Sequence, residues 1–377
     1  MNEVYITRLA KFLPNEPVLN DEMEAILGMI DGQPSRVRKI VLRQNGIKSR
    51  HYVIDRQGRV THNNAQLTAE AITRLTDQNF TLQEMEVLCC GTSSPDQLIP
   101  SHASMVHGVL KNRPLEINSP TGVCCSGMQA FKYGYLSVGS GSSPNAVCTG
   151  SETSSVALQA HKYSKQLLRA DASEQQQAFE FERDLLRWML SDGAGALLMQ
   201  NAPANTTCLR VEWVESHSFA NELGVCMFAG CERQPDGTVK SYHQFEYDAV
   251  IRDSMLTLRQ DVKLLNGNVI EFGVKSIVMT AAKRGIRPSD VDYFVPHLSS
   301  YYFRAVLAEQ LEGAGMGIAP EKWVINLDRV GNIGSASIYV ALEELFNSQR
   351  LQKGQLIWLA VPESGRFMYV QVLLTVC

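Results

Sequence analysis

The chain has 377 residues, 45% of them hydrophobic, enough for two cores of ordinary size or one large body built from two similar halves. Its formal net charge of -4 and the lack of any Lys/Arg block leave no basic field for nucleic acid or an anionic membrane surface, so neither is expected as a partner. The start, Met1-Asn2-Glu3-Val4-Tyr5-Ile6-Thr7, has no leader pattern and no window reaches the roughly 20 apolar residues of a membrane span, which makes a cytoplasmic protein the expectation.

In chain order, a helical stretch from Leu67 to Leu75 leads through Thr81-Leu82-Gln83-Glu84 to an apolar strand, Val87-Leu88-Cys89-Cys90, and the polar turn Gly91-Thr92-Ser93-Ser94. A short strand follows at Leu115-Glu116-Ile117-Asn118, then the small-residue turn Gly122-Val123-Cys124-Cys125-Ser126-Gly127 opening an apolar helix, then a strand from Ala146 to Glu152. After Asp192-Gly193-Ala194-Gly195-Ala196 and the strand Leu197-Leu198-Met199 the pattern starts again. A helical stretch from Val274 to Arg284 leads through Arg287-Pro288-Ser289-Asp290 to the strand Tyr293-Phe294-Val295-Pro296 and the turn His297-Leu298-Ser299-Ser300. Trp323-Val324-Ile325-Asn326, the turn Gly331-Asn332-Ile333-Gly334-Ser335-Ala336, a helix and the strand Leu356 to Ser364 complete it. Five elements in one order, written twice, predict duplicated α/β halves with buried sheets, divided near residue 205 into 1–205 and 206–377.

The turns at strand ends and helix starts carry the chemistry, because crevices at such ends are where α/β proteins bind ligands. Cys125 opens an apolar helix, where unpaired N–H groups favour a thiolate and offer a place for an oxyanion. Its bland alternative is a packed pair with Cys124, since free cysteines are commonly buried. His297 arrives at the end of a strand closed by Pro296, where a satisfied structural histidine is the alternative, and Asn332 at a helix start reads equally as an ordinary cap. The nine cysteines form no CxxC pair and no His/Cys cluster at zinc spacing, so no metal is expected and most should be reduced, small buried side chains.

Taken together, Val123-Cys124-Cys125-Ser126-Gly127, Val295-Pro296-His297 and Asn326-Leu327-Asp328-Arg329-Val330-Gly331-Asn332-Ile333-Gly334-Ser335-Ala336-Ser337 resemble the Cys, His and Asn motifs of the ketoacyl-ACP synthase III branch of the thiolase superfamily. Gly46-Ile47-Lys48-Ser49-Arg50, Gly91-Thr92-Ser93-Ser94-Pro95-Asp96 and Asp192-Gly193-Ala194-Gly195-Ala196 match in the same order, so the resemblance spans nearly the whole chain. It implies a thiolase-like fold of two pseudo-symmetric halves in αβαβα layers, no cofactor, and Cys125, His297 and Asn332 as the catalytic set. The chain departs from the family where His297 is followed by Leu298-Ser299-Ser300-Tyr301-Tyr302, and where Pro362-Glu363-Ser364-Gly365-Arg366-Phe367 replaces a glycine-rich loop. Those stretches, with Ser218-Phe219-Ala220-Asn221-Glu222-Leu223, look like the subgroup that makes dialkylresorcinols and stilbene-type cyclohexanediones.

What the resemblance implies is a condensation. Cys125 takes an acyl group from a thioester, and a second thioester, its enolate stabilised by His297 and Asn332, supplies the carbon nucleophile. The backbone N–H groups of Cys125 and Ser364 would meet the oxyanion. Ring closure needs a further base, for which Glu152 is preferred over Glu363 at the repeat-related turn; a carboxylate satisfied by backbone N–H groups is the alternative for either. A homodimer is implied, with Leu98-Ile99-Pro100 reaching the partner's acyl pocket. Ile40 stands where many synthases have an adenine-stacking Trp, so acyl groups on acyl carrier protein are expected to serve better than CoA esters. The stretch 156–182 is expected to line or cover a substrate tunnel. Two other readings stay open: an acyltransferase of the same fold acting on an oxygen or nitrogen nucleophile, and a non-catalytic partner subunit of a ketosynthase.

Overall fold

In the computed structural model, residues 1–163, 174–234 and 236–377 are described. Nine strands form its main sheet: β1 (Tyr5–Phe12), β2 (Val87–Thr92), β3 (Glu116–Asn118), β4 (Asn145–Glu152), β5 (Gly193–Gln200), β6 (Leu209–Ser218), β7 (Tyr293–Pro296), β8 (Leu356–Glu363) and β9 (Met368–Val376). The order across it is β7-β8-β9-β6-β1-β5-β4-β2-β3. On one side β3, β2 and β4 are parallel neighbours, and β5 and β1 continue antiparallel. On the other side β7 and β8 are parallel, with β9 and β6 antiparallel beyond them. A parallel bridge from Phe294 to Trp323 stands where β3 stands in the first half. The two runs meet where Tyr5 and Ile6 of β1 pair with Arg210 and Leu209 of β6. Residue 205 falls in the loop between β5 and β6.

Six helices complete the layers: α1 (Asn64–Thr73), α2 (His102–Leu110), α3 (Ser126–Ser140), α4 (Val262–Arg284), α5 (Tyr302–Gly313) and α6 (Ser337–Phe346). Alternate residues of each strand enter different cores, as the twofold strand period requires. Val87 and Cys89 of β2, with Ile357, Leu359 and Val361 of β8, pack on Met128, Phe131, Ile338 and Leu342 of α3 and α6. Leu88 and Cys90 face Ala65, Ile72, Ala103 and Val106 of α1 and α2. Trp358 and Ala360 face Val269, Ile277, Phe303 and Leu307 of α4 and α5. Burial on both faces explains why these strands read as apolar runs without alternation. The α3/α6 pair therefore lies between two sheet layers, with helices outside each.

Several elements differ from their predicted limits. Helix α4 begins at Val262, well before the predicted Val274, because Asp261 caps it by accepting the Leu264 N–H (2.8 Å), although Asn266-Gly267-Asn268 interrupts the apolar period. The Gly-Ala-Gly-Ala run at 193–196 lies inside β5, where small residues fit under Tyr339 of α6. Asn332 does not start α6; a 3₁₀ turn over Gly334–Ala336 intervenes. Cys208 and Cys377 are joined in a disulfide; Cys89, Cys90, Cys124, Cys125, Cys148 and Cys226 are free and buried. Residues 164–173 of the expected tunnel segment lie outside the described residues. Among the described residues no helix is long and apolar enough to cross a membrane, and no group of three His, Cys, Asp or Glu side chains could hold a metal.

Candidate active site

Cys125 is the residue before the first turn of α3, and its side chain is fully buried. The thiol points between β8 and β9, donating to the carbonyls of Val361 (3.3 Å) and Met368 (3.6 Å). The helix start does not favour thiolate, contrary to the sequence reading. The N–H groups of Val123 and Cys125 both donate to Glu363 Oε2, at 2.9 and 3.0 Å, so the donor at the helix cap, that of Cys125, is already met by a carboxylate. Burial first, and then the charge of Glu363, push the Cys125 thiol well above its ordinary range. The N–H of Cys125 expected to hold an oxyanion is thus engaged. Ser364, whose backbone N–H is the other expected donor, directs its hydroxyl at Met227 Sδ (3.8 Å), a contact that does not involve that N–H.

His297 continues from β7, its N–H donating to the Ala360 carbonyl of β8 at 2.9 Å. Val361, the next residue, accepts the Cys125 thiol, so consecutive residues of one strand position both groups. His297 and Val361 line one small cavity of about 30 Å³ together with Pro362, Tyr369 and apolar side chains of α4. A second cavity, of about 20 Å³, is lined by His297 with Asn326, Gly331 and Ser337. The imidazole Nε2 is buried and has no hydrogen-bond partner among the described residues.

Asn332 is pinned by its backbone: its N–H donates to the Met189 carbonyl (3.1 Å) and its carbonyl accepts from Ser191 N–H (2.9 Å). Its Oδ1 accepts from the Gly334 N–H at 3.0 Å, which fixes the side-chain plane and leaves the amide N–H₂ as the outward donor. The two repeat-related turns touch directly. A Cβ on Gly127 would stand 2.4 Å from the Ser335 carbonyl oxygen, so only glycine permits this approach, and Tyr339 OH closes it by donating to the Gly127 carbonyl (2.7 Å).

Glu152 ends β4 beside the Asn332 turn. Its Oε1 accepts from Ser93 N–H (3.1 Å) and Ser335 N–H (3.2 Å), and its Oε2 from the hydroxyls of Ser93 (2.7 Å) and Ser94 (2.6 Å). Burial raises its carboxyl pKa against those four donors. Ile99 lies at the far end of the 93–101 loop, with Leu98 78% and Ile99 86% exposed. The sequence reading ranked Glu363 second; its contact with Cys125 runs over 238 residues of chain, which no local pattern signals.

Burial alone depresses the His297 pKa from an ordinary 6.5 to about 4. The unfolded chain then takes up a proton below pH 6.5 that the folded chain refuses until about pH 4, so stability is lost as pH falls through that window. The loss from this group between pH 7.5 and 5 is about 2 kcal/mol. Urea unfolding at both pH values should show His297→Gln losing less stability on acidification than wild type by that amount. Equal losses would mean that the ring is solvated in the folded state.

Residues 281–373 match the family 3-Oxoacyl-[acyl-carrier-protein (ACP)] synthase III C terminal. The chain is 24% identical over 359 residues to a beta-ketoacyl-[acyl-carrier-protein] synthase III of Xanthomonas oryzae pv. oryzae, covering 94% of this chain and 93% of that one. It is 23% identical over 370 residues to beta-ketoacyl-[acyl-carrier-protein] synthase III 1 of Deinococcus radiodurans, covering 97% and 92%. Among solved structures it is similar to AbyA1, a tetronic acid condensing enzyme, with a TM-score of 0.77 at 20% identity over 98% of this chain and 99% of that one. It is also similar to OleA of Xanthomonas campestris, solved with lauric acid and lauroyl-CoA, with a TM-score of 0.75 at 19% identity over 100% and 99%. The chain has the thiolase-like fold along its length, and its residues 281–373 match the synthase III C-terminal family.

Proposed function

We propose that this protein is a condensing enzyme that joins two acyl thioesters through an acyl group held on Cys125, and that it closes the product into an alkylated cyclohexane-1,3-dione, a dialkylresorcinol precursor. The observation that carries the reading is the buried, unpartnered Nε2 of His297 in a wall shared with the residue that accepts the Cys125 thiol. A buried polar atom without a partner costs stability, and the cost is offset when substrate supplies the partner. The Asn332 amide adds a second donor, so the two can share an enolate oxygen of the incoming thioester. His297 is neutral at physiological pH, which suits a hydrogen-bond donor to a developing enolate.

The synthase III relatives and the OleA complex support carrier-bound or CoA-bound acyl thioesters as substrates. A groove lined by Arg36, Arg183 and Arg187 against Asp31 and Asp184, with Arg183 paired to Asp184 at 3.1 Å, keeps an excess of one positive charge for the phosphate of either carrier arm. Ile40 offers an adenine no aromatic face. Product mass tests the reading: 3-oxoacyl and 2-enoyl thioesters together should yield a cyclic carbon-carbon-linked product. An ester or amide of the Cys125 acyl group would support the acyltransferase reading instead.

The exposed Leu98 and Ile99 support a homodimer in which this loop enters the partner's acyl pocket. Sedimentation at micromolar concentration should give a dimer whose interface buries well over about 2,000 Å². Leu98→Ser with Ile99→Ser should weaken the dimer and the turnover of long acyl chains together; a wild-type monomer would refute the assembly.

A further inference from the structure

From the cradle that holds Glu363 on the Val123 and Cys125 N–H groups, we infer that Glu363 is the base for ring closure, released for that role when Cys125 is acylated. The inference rests on the condensing reading and assigns it a residue. Three groups stand close enough to the site to be weighed. Glu152 has its four lone-pair positions engaged by Ser93, Ser94 and Ser335, so it takes a proton only by breaking a hydrogen bond. Its role is to hold the Ser93-Ser94 loop against the turn that carries Asn332. His297 is committed to the enolate oxygen.

Glu363 differs from both. One oxygen, Oε2, receives both N–H groups, at 2.9 and 3.0 Å, and Oε1 accepts from no donor among the described residues. The space around it is made by glycines: a Cβ on Gly122 would come within 3.1 Å of Oε2, and one on Gly365 within 3.1 Å of Oε1. The turn that follows is anchored by Phe367, fully buried at a left-handed φ of 56° that phenylalanine rarely adopts. The carboxylate is thus built onto the cap of the nucleophile's helix.

This placement couples loading to basicity. The thioester oxygen on Cys125 competes for the Cys125 N–H, and the carboxylate that yields it keeps only the Val123 donor. Burial already raises the Glu363 pKa and the two N–H groups oppose that rise, so losing one makes the carboxylate a stronger base. The first bond forms when the enolate carbon of the 3-oxoacyl thioester adds to C3 of the 2-enoyl group on Cys125; the proton that carbon lost ends on C2 of the enoyl group, and the carbon-sulfur bond to Cys125 stays intact. In ring closure, the carbon on the far side of the 3-oxoacyl ketone gives its proton to Glu363. The electron pair left behind forms the ring bond to the thioester carbonyl carbon, and the carbon-sulfur bond breaks. The Cys125 thiolate leaves with that bond's electrons and recovers the proton from Glu363, so the enzyme ends as it began.

The test compares Glu363→Gln, Glu152→Gln and wild type on 3-oxoacyl and 2-enoyl thioesters, following Cys125 acylation by intact mass and products by chromatography. Glu363→Gln can still accept both N–H groups but cannot take a proton. It should acylate at Cys125 while cyclic product falls on the order of 100-fold and linear or hydrolysed product appears. Glu152→Gln should keep the wild-type ratio of cyclic to linear product within about twofold, whatever its total yield. Alkylation of Cys125 by iodoacetamide across pH gives a readout independent of turnover: its midpoint should fall by about one pH unit in Glu363→Gln, because a charge beside the thiol is gone. Cyclic product from Glu363→Gln at the wild-type rate, or an unmoved alkylation midpoint, would overturn the inference. Wild type giving only linear product would overturn ring closure and with it the role for Glu363, while an acyl-enzyme and a carbon-carbon bond would leave the condensing reading standing.

Discussion

Cys125→Ala is expected to abolish acyl-enzyme formation and to lower condensation by at least about 10⁴-fold, as removal of a nucleophile does in enzymes working by covalent catalysis. Cys124→Ala should retain most of both. The thiol of Cys125 reaches the Val361 and Met368 carbonyls and its backbone N–H reaches Glu363, so this residue sits at the junction of the two halves. Cys124 packs in the same core and burial raises both thiols, so position and not acidity separates the two. Intact-protein mass spectrometry with peptide mapping decides the point. An acyl group on Cys124, or on neither residue, would mean that the motif has been misplaced.

The second large effect is expected at His297. His297→Ala should still load Cys125 but lose condensation by about 10²- to 10³-fold, the usual cost of removing one donor from a developing oxyanion, so the acyl-enzyme should accumulate. The protein should not be destabilised in proportion, because the imidazole Nε2 it loses has no partner among the described residues. Failure to load would instead place His297 in the first half-reaction, as the base for the Cys125 thiol. That alternative has a physical basis, since the resting thiol is protonated and its proton must leave before attack.

The duplicated pattern was readable because its strands are buried on both faces and its helices begin at small-residue turns. Val87–Thr92, Asn145–Glu152, Tyr293–Pro296 and Leu356–Glu363 lie within a residue or two of the predicted strands. Strands β1, β6 and β9 escaped the reading; Leu209–Ser218 alternates apolar residues with Arg210, Glu212 and Glu215, and nothing in it repeats a pattern from the first half. The site was legible as residue types on turns, and the structure brings the Cys125 and Asn332 turns into contact through Gly127 and Ser335. Electrostatics were not legible. The helix-start argument for Cys125 considered one helix alone, whereas the carboxylate that reverses it comes from the other half of the chain. The same limitation ranked Glu152 above Glu363, since the four donors that engage Glu152 come from two separate loops.

The central claim is that the acyl group on Cys125 becomes part of a carbon-carbon-linked product. A chase tests it most directly: the protein is loaded with an isotope-labelled acyl thioester, freed of excess, and given one unlabelled 3-oxoacyl thioester. The account predicts that the label leaves Cys125 only when the second substrate arrives and appears in a product that joins both chains. Label recovered as a free acid, as an ester or amide, or still on the protein after the chase would contradict it.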